Sequence, residues 1–275
     1  HSPAHIIGIK AAIELFPGIP QAAVFDTAFH QTLKPTQYLY PIPMELYRQH
    51  HFRKYGFHGT SYRYISRRLA ELHPKSLKQG VIVAHLGNGA STCAINKGQS
   101  SDTSMGITPL EGLMMGTRCG SLDPSLLPFI AEAEDMSIDA ALNVLNQKSG
   151  LLGISELSND CRTLEDAMAL GNEKAKLALD MFAARTAKYL ASSATTLNNI
   201  DHLVFTGGIG ENSSYVRAAV CDRLKAFNIY IDSSKNSLRG ATMNIESAKS
   251  KTKVWIIPTN EELMIALDTI NLIRQ

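Results

Sequence analysis

Apolar positions recur with two periods along this chain, and the switch between them marks strands alternating with helices. Residues 6–15 follow a helical spacing that Pro17-Gly18 stops. Ala22, Ala23, Val24 and Phe25 read as a short apolar strand ending at Asp26. Residues 34–50, rich in Pro and Tyr, read as an ordered loop, and 61–72 as a helix. Val81-Ile82-Val83-Ala84 is a buried-strand run, the turn Gly87-Asn88-Gly89 follows, and 91–96 alternates as a second strand. The two are predicted to pair as a hairpin. Residues 98–119 read as a long loop, with helices expected over 124–134 and 138–147. Leu164, Ala167, Met168, Leu177, Met181, Ala184 and Tyr189 fall at helical spacing, interrupted near Gly171-Asn172, which predicts two helices with the second long. A strand at 203–205, a Gly-rich loop at 206–212, a helix at 213–227, a strand at 254–257, a break at 258–260 and a helix at 261–273 complete an α/β pattern.

Composition narrows the function. A chain of 275 residues makes one large domain or two small ones, and 44% hydrophobic against 19% charged residues excludes disorder. With 27 Lys+Arg against 25 Asp+Glu the formal charge is +2, which leaves no footprint for nucleic acid. No apolar run reaches the ~18–20 residues of a membrane span. Cys93, Cys119, Cys161 and Cys221 are scattered without a CxxC pair, so neither a disulfide framework nor a zinc site is signalled, and a cytoplasmic setting is expected. The opening His1-Ser2-Pro3-Ala4-His5 lacks the features of a signal peptide and reads as the interior of something longer.

Two loops share one physical logic. The stretch from His85 to Ser91 follows a buried strand, and Thr206 to Asn212 joins a strand to a helix. Glycines let backbone N–H groups approach an anion closely, although a tight turn or a packing glycine explains either loop alone. The chain has no GxxxxGK[ST] run and no kinase HRD…DFG pair, and Gly207-Gly208-Ile209-Gly210 misses the GxGxxG spacing. A nucleotide enzyme here would therefore be neither a P-loop protein nor a protein kinase, and the missed spacing weakens a Rossmann dinucleotide-binding reading. Asp26 sits where a carboxylate enters a cleft or caps a turn. His58 lies between Phe57 and Gly59, and Arg118 between glycines can reach a phosphate bidentately or pin a loop. Asp160-Cys161-Arg162 precedes a helix as an N-cap would. Glu261-Glu262 opens the last helix, as dipole compensation or as a Mg²⁺ ligand.

Taken in order, these motifs resemble the acetate kinase family, the acetate, propionate and butyrate kinases of the sugar kinase–Hsp70–actin superfamily. The matching text is Val24-Phe25-Asp26-Thr27-Ala28-Phe29-His30, Tyr55-Gly56-Phe57-His58-Gly59-Thr60-Ser61, His85 to Ser91, Met115-Gly116-Thr117-Arg118, Phe205 to Asn212 and Pro258-Thr259-Asn260-Glu261-Glu262-Leu263. The resemblance implies a ribonuclease H-like lobe of the actin-like ATPase superfamily with a partial first lobe. Residues 27–259 would be the second, nucleotide-binding lobe, and 1–26 and 260–275 a remnant of the first. It implies reversible phosphoryl transfer from ATP to a short-chain carboxylate, with Mg²⁺ or Mn²⁺, ADP and acyl phosphate as products, and a homodimer. Carried over, Asp26 is the active-site carboxylate, and His58, protonated or as a neutral donor, and Arg118 stabilise the transferring phosphoryl group. His85, Leu86, Gly87, Asn88 and Gly89 form a phosphate-binding hairpin. Asp160, Cys161 and Arg162 border the adenosine site, with Gly208, Ile209, Gly210, Glu211 and Asn212 as its other wall. Glu261 is a metal ligand, Phe57 and Pro109 line the pocket for the carboxylate's methyl group, and His1 lies near the acyl phosphate.

The chain departs from the family's usual text at His1-Ser2-Pro3-Ala4-His5, at Tyr62 where a His is usual, and at Cys119-Gly120-Ser121. A leading strand–loop with phosphate-facing Asn, Ser and Lys, and a further substrate Arg, have no counterpart in it. Little turnover and some tendency to aggregate are therefore expected of this piece as an inactive fragment. Acetate is the favoured substrate, with propionate its rival, since one methylene is worth only about 1–3 kcal/mol of discrimination. A different class, an Hsp70- or actin-type ATP-binding module, would need a peptide- or polymer-binding element that the sequence does not display.

Overall fold

A computed structural model describes residues 2–238 and 241–274. Helices α1 (Ser2–Leu15), α2 (Pro35–Tyr38), α3 (Met44–His50) and α4 (Gly59–Leu72) precede the meander β1 (Gly80–Leu86), β2 (Ala90–Asn96) and β3 (Gln99–Thr103). Next come α5 (Leu126–Ala133), α6 (Ile138–Gln147), α7 (Gly150–Ser155), α8 (Cys161–Ala169) and the long α9 (Glu173–Ser193). Then follow β4 (His202–Thr206), α10 (Gly207–Asn212), α11 (Ser214–Asp222), α12 (Ser233–Asn236), β5 (Met243–Asn244), β6 (Lys253–Ile256) and α13 (Glu261–Ile273).

The six strands form one sheet in the order β3-β2-β1-β4-β6-β5. β2 is antiparallel to both neighbours, while β1, β4 and β6 run parallel. This order agrees with the ribonuclease H-like lobe that the family resemblance implies. Alternation along β1 explains the layers. Ile82, Ala84 and Leu86 join the larger core with Leu179, Phe182 and Ala183 of α9, while Val81 and Val83 join Tyr62, Ile65 and Leu69 of α4. With both faces covered, the strand reads as a continuous apolar run.

Several expectations are corrected. Residues 22–25 pair with no strand among the described residues, and Phe25 is 71% exposed, so no ladder holds them as a strand. The 34–50 loop contains α2 and α3, each started by a proline that presets φ. The long loop at 98–119 contains β3, whose polar text hides it; pairing with β2 and burial of Ser100 and Thr103 make it a strand. The Gly-rich stretch after β4 is the helix α10, and the following helix ends at Asp222.

Parallel strands gather their carboxyl ends at one edge, which is where ligands bind in open α/β sheets. Here that edge collects the turn 87–89 after β1, α10 after β4, and residues 257–261 after β6. No helix among the described residues is long and apolar enough to cross a membrane.

Candidate active site

Asp26 reaches the start of α4 with its whole polar surface. Its Oδ2 accepts from His58 N at 2.7 Å, its Oδ1 from Thr60 N at 3.3 Å, and its carbonyl from Gly59 N at 2.8 Å. A Cβ on Gly59 would lie 2.2 Å from that carbonyl, so only glycine allows the approach. Asp26 thus caps a helix, and by doing so turns His58 into the left-handed conformation, φ 57°.

The His58 ring stacks on His85 with centroids 4.2 Å apart, and its Nδ1 lies 2.8 Å from Ser91 Oγ. Burial, then the Arg118 and His30 charges, push its pKa down to about 4. Of the two states left open for His58, the structure favours the neutral donor. His85 is held to about 3 by burial and then by His58, and its Nδ1 lies 2.9 Å from Ser61 Oγ. Arg118 donates from Nη1 to the Pro109 carbonyl at 3.3 Å, and pairs with no carboxylate among the described residues. A Cβ built on Gly89 would stand 3.5 Å from both His58 Nε2 and Arg118 Nη1. A guanidinium donor and an imidazole nitrogen therefore face one point above the turn.

Phe57 precedes His58 in the chain, and its carbonyl accepts from His30 Nε2 at 3.0 Å. Tyr55 and Gly56 both donate to the Gly106 carbonyl at 3.1 Å, which brings the Pro109 loop alongside Phe57. Glu261 begins α13. Its carboxyl is pushed above the usual range by burial and by the negative charge of Asp26, so the two acids share one field. Among the described residues no group of three or more metal-ligating side chains occurs. A pair of repelling carboxylates suits a Mg²⁺ ion, which keeps several waters and takes its other ligands from phosphates.

Beside this cluster lies a cleft of about 580 Å³ lined by Gly87, Asn88, Asp160, Cys161, Arg162, Gly208, Ile209 and Asn212, with Asn159, Glu165 and Ser213. The two loops and the Asp160 segment thus meet across one cavity, and Asn88 belongs to both ends of the site. Asn88 is fixed by Asn159 Nδ2, 3.1 Å from its Oδ1, and by Gly116 N on its carbonyl at 3.0 Å. Asp160 caps α8 through Arg162 N at 2.8 Å, and its bonds to Arg162 hold its carboxyl down to about 2. Gly210 and Glu211 do not line the cavity. The Gly210 carbonyl accepts from buried Arg217, and Glu211 Oε1 accepts from Gly207 N and Thr259 N. Leu86 is wholly buried beneath the turn, and His1 lies outside the described residues. Asn159, Glu165 and Ser213 had no motif to announce them; Ser213 donates to Glu165 and so ties α8 to the start of α11.

The chain as a whole is similar to known proteins. The model of the Acetokinase family matches residues 1–267. An acetate kinase of Chromobacterium violaceum is 52% identical over 275 residues, spanning 99% of this chain and 69% of that protein. One of Treponema denticola is also 52% identical, over 100% of this chain and 69% of its own. Among solved structures, Porphyromonas gingivalis acetate kinase superposes with a TM-score of 0.94 at 45% identity, covering 99% of this chain and 69% of that one. A propionate kinase from Francisella tularensis gives the same TM-score at 48% identity, covering 98% and 69%.

Proposed function

This chain belongs to the acetokinase family, and from that premise we propose that it takes part in transferring a phosphoryl group from ATP to a short-chain carboxylate, with acetate ahead of propionate. The observation that carries the reading is the convergence of His58 Nε2 and Arg118 Nη1 above Gly89, next to Asp26 and to a cleft walled by both glycine-rich segments.

A small carboxylate is ionised at neutral pH, so no base is needed to make it a nucleophile. The difficulty is bringing two anions together, and donors aimed at the equatorial oxygens of the phosphoryl group relieve it. Arg118 supplies a fixed positive charge and His58 a neutral N–H. Asp26 holds His58 in place through its backbone and, with Glu261, offers the carboxylates for a divalent ion. When bound, that ion supplies charge neutralisation for the phosphates; Mg²⁺ suits these oxygen donors and Mn²⁺ is the alternative. Residues 85–89 and 208–212, with Asp160, Cys161 and Arg162, are proposed as nucleotide contacts, and Phe57 and Pro109 as the walls that face the carboxylate's methyl group. Residues 27–259 form the nucleotide-binding lobe in this reading. Residues 1–26 and 260–275 belong to the other lobe, consistent with the exposed Ile6, Ile7, Ile9 and Ile13 of α1. Family membership favours a homodimer, and the cysteine usage a cytoplasmic enzyme.

Hydroxylamine trapping of acyl phosphate, on protein expressed from its complete reading frame, tests the proposal with acetate, propionate and butyrate side by side. Hydroxamate should form fastest from acetate. Arg118→Ala should lower kcat far more than it raises KM for ATP. Absence of hydroxamate from all three acids overturns the assignment, and unchanged turnover in Arg118→Ala reduces Arg118 to a docking residue.

A further inference from the structure

The place of Tyr62 in the structure gives it a role. Its ring is fully buried between α4 and the sheet, and its hydroxyl meets Ser91 Oγ. Ser91 is equally buried, and its Oγ also lies 2.8 Å from His58 Nδ1. One serine hydroxyl therefore joins a phenol to an imidazole.

The direction of these bonds follows from counting protons. A serine hydroxyl has one hydrogen to give and two lone pairs to offer. If His58 Nδ1–H donated to Ser91, the serine would either donate to Tyr62 or accept from it as well. Either the phenolic or the serine hydrogen would then be buried without an acceptor among these three groups, at a cost of about 1–3 kcal/mol. In the other direction every hydrogen is used. Tyr62 donates to Ser91, Ser91 donates to His58 Nδ1, and the ring's own hydrogen must sit on Nε2. That nitrogen is the one facing the point above Gly89 that Arg118 Nη1 also faces.

We propose that Tyr62 is a positioning residue that fixes, through Ser91, the tautomer of His58, so that a donor N–H rather than a lone pair is presented to the transferring phosphoryl group. The inference rests on the proposed phosphoryl transfer for its purpose, though not for its geometry. A lone pair at Nε2 would repel phosphoryl oxygens, whereas an N–H stabilises them without any change in ring charge. In a dry pocket the choice between tautomers belongs to the partner of the hidden nitrogen, and here that partner is itself oriented by a residue that does not touch the cleft.

Long-range ¹H–¹⁵N correlation spectra of the imidazole rings, with His58 assigned by its loss in His58→Gln, read the tautomer without any turnover. The protein should show an unprotonated Nδ1 and a protonated Nε2. In Tyr62→Phe, which keeps the ring and removes only the hydroxyl, Ser91 is free to accept as well as donate, and the two nitrogen shifts should move toward each other. The kcat should fall about tenfold with KM for ATP unchanged. Ser91→Ala should displace the shifts further, and serves as the second reading if Tyr62→Phe does not fold. A proton found on Nδ1 in the unaltered protein, or ring shifts that ignore both substitutions, overturns the proposal. Absence of hydroxamate from every acid would instead remove the phosphoryl-transfer reading while leaving the tautomer result standing.

Discussion

Gly89 has no side chain, and the space where one would begin is the space that His58 and Arg118 face. Its φ is not one that excludes other residues, and the nearest atoms to a built Cβ are at ordinary contact distance. Gly89→Val should therefore fold, while filling the volume that the reacting group is proposed to occupy. We expect kcat/KM to fall by about a hundredfold, as misplacement by an ångström can cost that much, with the melting temperature moved by only a few degrees. Full activity in a folded variant would place the chemistry elsewhere. At this scale the sequence was most legible for Asp26, His58, Arg118 and the two glycine-rich segments, whose types and neighbours are unusual enough to stand out. It placed Ser91 in a motif without a role and was silent on Asn159, Glu165 and Ser213, because such polar residues are common and their meaning comes from partners far along the chain. Ser61 makes the point: it bonds both His85 and Thr259, the latter 198 positions away.

Elements were legible where apolar periodicity is strong, as in β1, β2, α4, α8 and α9, and illegible where tertiary contacts override composition. α10 is the clearest case. Three of its six residues are glycine, and Gly207 has a positive φ, so local preference alone gives a loop. The helix is held by side chains, one of its own and one from α11. Glu211 Oε1 accepts from Gly207 N at 2.9 Å, and Arg217 Nη1 donates at 2.9 Å to the carbonyls of both Gly210 and Glu211. The same fully buried guanidinium bonds Asn236 through its Oδ1 and its carbonyl, each at 2.7 Å. Arg217→Met keeps the stem and strands these acceptors, so at least about 3 kcal/mol of stability should be lost, read as a lower urea midpoint. Arg217→Lys should recover only part of it, since an ammonium cannot reproduce the planar fork. ADP should also bind more weakly to either variant, because α10 is a wall of the cleft. A midpoint unchanged in Arg217→Met would show that α10 stands without its anchor.

Across the whole molecule, neutral histidines recur as internal struts. His30 Nε2 donates to the Phe57 carbonyl at 3.0 Å, and its Nδ1 accepts from Ser100 Oγ at 2.8 Å. His202 Nδ1 accepts from Trp255 Nε1 at 3.0 Å, and its Nε2 donates to Gln79 Oε1 at the same distance. Burial is the main cause that holds His30 to about 4 and His202 to about 4, beside about 4 for His58 and about 3 for His85. In the unfolded chain these rings titrate near 6.5. Between that value and about 4 the unfolded state binds more protons than the folded one, so stability rises with pH across the window and is lost on acidification. Each unit of depression is worth about 1.4 kcal/mol. Several such rings together therefore weigh heavily against a typical net stability of about 5–15 kcal/mol. The urea midpoint should fall steadily as pH drops from 7 to 5. His30→Gln, which retains an N–H for the Phe57 carbonyl but cannot take up the proton, should flatten that slope while lowering the midpoint at pH 7. A slope as steep in His30→Gln as in the unaltered protein would mean that acid acts through other groups. A midpoint independent of pH over the same range would mean that these histidines carry their protons in the folded state, contrary to the bond that His202 Nδ1 accepts from the Trp255 indole, a group that can only donate.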